Sequence, residues 1–125
     1  MADKLWTFME KLKDRTDAGK VAWERTANDD VYQASFPNHA VRIFTRAGEA
    51  EFLDYVVQIV NQEGVVVEEA SDVDLSKLIA PSPPNYVFQF MKDLHGAARR
   101  KAMGVDRALD ILIDSLDRDD DDVPF

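Results

Sequence analysis

The chain has 125 residues, with 24 Asp+Glu against 15 Lys+Arg for a formal charge of −9, 46% hydrophobic residues, 5 Gly, 5 Pro and no Cys. That composition suits one globular domain with its own core, and it excludes a disulfide framework, a zinc–thiolate centre and an iron–sulfur cluster. No run reaches the ~18–20 apolar residues of a membrane span, and the opening Met1-Ala-Asp-Lys-Leu-Trp6 lacks the basic and apolar regions of a secretory signal, so a cytoplasmic location is expected.

The first element is a helix over Asp3 to about Asp17, because Leu5, Phe8, Met9 and Leu12 fall at i, i+3, i+4 and i+7. Trp6 flanks this stripe and Gly19 supplies a stop. From Lys20 to Ala70 the period changes to two. Val21, Trp23 and Arg25 alternate with Ala22 and Glu24, followed by an Asn28-Asp29-Asp30 turn. Tyr32, Ala34 and Phe36 form the next strand, Pro37-Asn38-His39 a turn, and Val41, Ile43 and Thr45 a third strand. After Ala47-Gly48-Glu49 comes the clearest strand, Phe52 to Val60, and Asn61-Gln62-Glu63-Gly64 turns the chain into Val65 to Glu69. Connections this short force antiparallel neighbours.

Asp72 to Ala80 can hold one helical turn, and Pro81-Ser82-Pro83-Pro84-Asn85 is a stiff linker. Beyond it Val87, Met91, Leu94, Ala98, Ala102, Val105, Leu109, Leu112 and Leu116 keep one helical phase. The spacing predicts a single helix of about 30 residues, bent at most at Gly104. A second strip beside that stripe holds Tyr86, Phe90, Gly96, Ala97, Gly104, Ala108 and Ile111. Small residues there admit a close backbone, so the strip is a candidate for packing on the first helix or on another subunit. From Asp106 onward there are 8 acidic and 2 basic residues, against 16 and 13 in the rest. Residues 1–118 are therefore read as the domain and 119–125 as an acidic, flexible tail.

The chemistry-bearing residues mostly support bland readings. Asp106, Asp110 and Asp114 share a helix face, but one helix seldom supplies every ligand of a cation, so the face is read as solvated. Asp117, Asp119 and Asp121 imitate a calcium loop without its Gly or its final Glu. His39 lies in a turn, and His95 near the core stripe is read as packed, with a pocket beside it as the alternative. No nucleophile turn or phosphate-cradling loop is present, and Arg99-Arg100-Lys101 spread around a helix instead of forming a phosphate-binding face. No enzyme activity, cofactor, metal, nucleic acid or membrane partner is expected. One surface stands out: Phe44 shares its strand face with Arg42 and Arg46, and Gln58 belongs to the same face. Aromatics and Arg anchor interfaces.

The segments Thr16-Asp-Ala-Gly-Lys-Val-Ala-Trp23, Asp93-Leu-His-Gly-Ala-Ala-Arg-Arg100 and Gly104-Val-Asp-Arg-Ala-Leu-Asp110 give the chain a layout that resembles small uncharacterised bacterial or phage-encoded proteins built as helix, antiparallel meander and long helix. The resemblance implies that fold and carries no catalytic residue. The expectation is an α+β fold: a four- to five-stranded antiparallel meander with the N-terminal helix and the long C-terminal helix packed on one face. The expected function is non-enzymatic binding of a protein partner through Arg42, Phe44, Arg46 and Gln58. The alternatives are a structural homodimer through the C-terminal helix and a small-molecule sensor with a pocket between sheet and helix.

Overall fold

The computed structural model describes residues 2–48 and 53–118. The tail from Asp119, the Glu49 position of the third turn and the Phe52 start of a strand lie outside the described residues. Helix α1 (Ala2–Asp17) leads into β1 (Trp23–Arg25), β2 (Tyr32–Phe36), β3 (His39–Ala47), β4 (Leu53–Asn61) and β5 (Val66–Ser71). Helices α2 (Asp72–Leu78), α3 (Tyr86–Ala102) and α4 (Val105–Arg118) follow. The five strands form one antiparallel sheet in the order β1-β2-β3-β4-β5, so the architecture is α+β with meander order.

Turn chemistry sets this order. The β2–β3 loop is two residues long, with Phe36 paired to His39. Pro37 fixes its φ near −65° and Asn38 takes the left-handed φ of 64°, the combination a tight turn of this kind requires. At the β4–β5 turn Asn61 Oδ1 accepts from the Glu63 and Val65 backbone N–H groups, each at 3.0 Å, and Gly64 takes φ 83°. Ser71 then ends β5 and caps α2, accepting from Asp74 N at 3.1 Å while Asp74 Oδ2 accepts from Ser71 N at 3.0 Å.

The core lies between one sheet face and the helices. Met9 and Leu12 of α1, Leu75 of α2 and Val87, Met91, Leu94 and Ala98 of α3 close on Trp23, Tyr32, Ala34, Val41, Ile43, Val57 and Ala70 of the sheet. Trp23 Nε1 donates to Thr16 Oγ1 at 3.0 Å in a buried contact, tying the end of α1 to β1. Phe36, which alternates in phase with the buried Tyr32 and Ala34, is 41% exposed at the end of its strand.

The single long C-terminal helix needs correction. Met103 N–H still donates to Arg99 O at 2.8 Å, but Gly104 takes φ 67° and its N–H turns back to Lys101 O at 3.1 Å. A residue in this conformation after the last helical turn is a common helix terminator, and glycine adopts it without strain. Ala108 N–H then donates to Gly104 O at 2.9 Å as α4 starts after this break.

Candidate interaction surface

On the sheet face opposite the core residues Val41, Ile43 and Val57, the register aligns Gln33, Arg42, Gln58 and Glu69 in one row across β2 to β5. The next rows hold Phe44, Val56 and Ser71, and then Arg46 with Asp54. The four residues singled out in the sequence therefore do share a surface. Their polar heads are engaged with neighbours: Arg42 Nε donates to Gln33 Oε1 at 2.8 Å, Gln58 Nε2 to Glu69 Oε1 at 2.7 Å, and Arg46 Nη1 to Glu69 Oε2 at 3.2 Å. The Gln58 amide and the Arg46 guanidinium hold the Glu69 carboxyl below its ordinary range. Phe44 is half-buried and Val56 across from it is fully buried.

His95 packs against the opposite face. Its ring lies 5.3 Å from the Tyr32 ring and 5.6 Å from the Tyr55 ring, centroid to centroid. His95 Nε2 sits 3.0 Å from the Asp30 carbonyl oxygen. A carbonyl only accepts, so this contact places the proton on Nε2. Asp30 itself has a left-handed φ of 71°, and its Oδ2 accepts from Thr45 Oγ1 at 2.6 Å. The histidine thus pins the turn between β1 and β2 onto α3. Burial, then the charges of Asp30 and Asp72, push the Tyr55 phenol up from its ordinary value.

A cleft of about 830 Å³ opens beside β4 and the start of α2, lined by Arg46, Leu53, Asp54, Asp72, Phe88 and Gln89 among others. Asp72 Oδ1 accepts from Tyr55 N at 2.9 Å, and burial raises the pKa of its carboxyl. Among the described residues, no group of three or more His, Cys, Asp or Glu is placed to hold a metal.

The second predicted strip is divided by the break at Gly104. Trp6 of α1 covers its start, with its ring 4.7 Å from Phe90 and 6.4 Å from Tyr86. Ala97 is half-buried, and at Gly96 and Gly104 no heavy atom lies within 4 Å of where a Cβ would stand. Ala108 and Ile111 pass to α4 and are exposed.

A run of exposed apolar residues lies on α4, where Leu109, Leu112 and Leu116 continue the sequence stripe of α3. Leu109 is 44% exposed, Leu112 57%, Ile113 56% and Leu116 64%, and no residue of α4 is buried. Val105, Leu109, Leu112 and Leu116 fall within one turn-to-turn ridge at 100° per residue. Asp106, Asp110, Asp114 and Asp117 occupy its side and back, with Arg118 Nη2 donating to Asp114 Oδ2 at 2.6 Å. Length was the signal that could have exposed this ridge. A nine-residue strand such as β3 or β4 spans about 30 Å and the 17-residue α3 about 25 Å, whereas a straight helix from 86 to 118 would run about 50 Å, well past the sheet. No protein-family model, curated protein or solved structure matches the chain.

Proposed function

We propose that the chain is a non-enzymatic interaction protein that engages another protein chain through α4. The observation that carries this reading is the unburied apolar ridge of Leu109, Leu112, Ile113 and Leu116. A 14-residue helix standing alone is marginal in water, since most helical stability in proteins comes from packing an amphipathic face. A contiguous exposed apolar patch is the usual mark of an interaction site, and leucines at this spacing suit helix-mediated recognition. A lipid surface fits less well, because the polar side of α4 carries four aspartates and two arginines, the wrong balance for anionic headgroups. The test is affinity capture with the wild-type chain and a Leu112→Ser/Leu116→Ser variant. A near-stoichiometric protein that the wild type holds and the variant releases supports α4 as the docking element. Equal retention by both removes it.

The sheet face is a second candidate surface, favoured by Phe44, whose half-buried ring lies between Arg42 and Arg46 on β3. Phe44→Ala should leave the fold intact and weaken a partner that docks there. Unfolding of that variant would assign Phe44 to structural packing.

A further inference from the structure

We infer that the partner of α4 is a second copy of this chain, the two α4 helices packing along Val105, Leu109, Leu112 and Leu116 into a helical dimer. The inference rests on the reading of α4 as the docking element and names its occupant.

Spacing is the first support. The ridge steps by 4, 3 and 4 residues, the alternation that places one seam of a helix against another helix. The stripe of α3 opens with the same steps from Val87 to Ala98, and there the sheet covers it. Gly104 separates that covered stripe from the uncovered one on α4.

Charge placement is the second support. The positions flanking the seam are Asp106, Ala108, Ile113 and Ser115, only one of which is charged. Ile113, itself 56% exposed, widens the apolar strip on one side. Arg107, Asp110, Asp114 and Arg118 point away from the seam and stay hydrated in a pair. No like-charged ladder faces its own copy across the contact.

Area is the third. Four half-exposed side chains of about 100 Å² each, with Val105 and Ala108, give about 500 Å² per chain, so a pair removes at most about 1,000 Å² from water through these residues, which is close to the minimum for a specific interface. An interface of this size belongs to the weak, transient class, so the dimer is sought at high protein concentration.

The test uses the full chain. Sedimentation equilibrium over about 1–500 µM should show a dimer for the wild type, with association unchanged or strengthened by salt, because the seam is apolar and added salt screens the aspartates. Leu112→Ser/Leu116→Ser should weaken association by at least about 100-fold, since each substitution acts twice in a symmetric pair. The chain contains no cysteine, so introduced cysteines report directly even if the serine variant loses helicity. Chains with Leu109→Cys and Leu112→Cys, alone or mixed, should form a disulfide-linked dimer under mild oxidation, and Asp114→Cys should not. A wild type that stays monomeric throughout overturns self-pairing while leaving α4 free to dock on a different protein. A dimer that survives the serine substitutions without seam crosslinking overturns the inference, because the chains then pair through another surface, and the capture experiment remains the test of α4 as a docking element. Dissociation with rising salt overturns the apolar seam.

Discussion

Helices α3 and α4 carry apolar stripes in the same phase, yet one stripe is the centre of the core and most of the other is exposed. In α3, Met91, Leu94 and Ala98 are fully buried against the sheet. In α4, Leu109, Leu112 and Leu116 stand 44–64% exposed. The two helices differ in what lies opposite them. The strands are long enough to cover α3, and the chain breaks where that cover ends. Hydrophobic periodicity therefore reports that a face must be buried, and says nothing of whether the burying surface belongs to the same molecule.

A matched pair of truncations sharpens this contrast most strongly. Leu94→Ala should cost about 2–5 kcal/mol of unfolding free energy, because it opens a cavity among residues that relax only in part. Leu112→Ala, removing the same atoms, should change the unfolding of a dilute sample by no more than about 0.5 kcal/mol. Chemical denaturation at low and high protein concentration measures both. A large loss for Leu112→Ala at a concentration where the chain is monomeric would mean that α4 packs on its own body, and the contrast would fail.

The fold was legible wherever local chemistry and global packing agreed. Five strands follow from period-two runs separated by Asn28-Asp29-Asp30, Pro37-Asn38 and Asn61 to Gly64, each of which bends the chain by its own side chains or backbone freedom. The Arg42, Phe44, Arg46 and Gln58 surface was legible for the same reason, since alternation fixes the face of a strand residue. The engagement of those residues was not, because Gln33 and Glu69 meet them only through cross-strand register. Nor was the end of α3: the apolar stripe keeps its phase across Gly104, although a glycine there can end the helix in a left-handed turn.

That glycine offers the next test of the two-helix arrangement. Gly104 has φ 67° and open space where a Cβ would stand, so Gly104→Ala meets no clash and acts through backbone strain alone. The expected effect is a loss of about 1 kcal/mol, or straightening of the junction so that α4 continues the axis of α3. Small-angle scattering separates the two, because a straight helix lengthens the particle. A variant with unchanged stability and unchanged shape would show that the break does not depend on the left-handed residue.

The smallest effect concerns charges at helix starts, where buried and exposed positions again contrast. Asp72 opens α2 with 7% of its surface exposed, whereas the side chain of Asp106 in the first turn of α4 is 91% exposed. Burial raises the folded-state pKa of Asp72 above its unfolded value. The protonated carboxyl is thus favoured by folding, and the stability it contributes is complete below the unfolded pKa and is lost as pH rises through the folded one. At neutral pH the ionised group is a net burden on the fold. An Asn at this position keeps an oxygen to accept from Tyr55 N without the charge. Asp72→Asn should therefore gain stability at pH 7, by no more than about 0.5 kcal/mol because the favourable charge at the start of α2 is lost as well. The gain should shrink as pH falls through the carboxylate range. Asp106→Asn, at the exposed position, is the control that carries no burial to relieve. Thermal unfolding of both variants between acid and neutral pH reads the difference. An Asp72→Asn that is less stable at pH 7 than at pH 3, relative to wild type, would reverse the sign and show that the Tyr55 hydrogen bond and the helix start outweigh burial there.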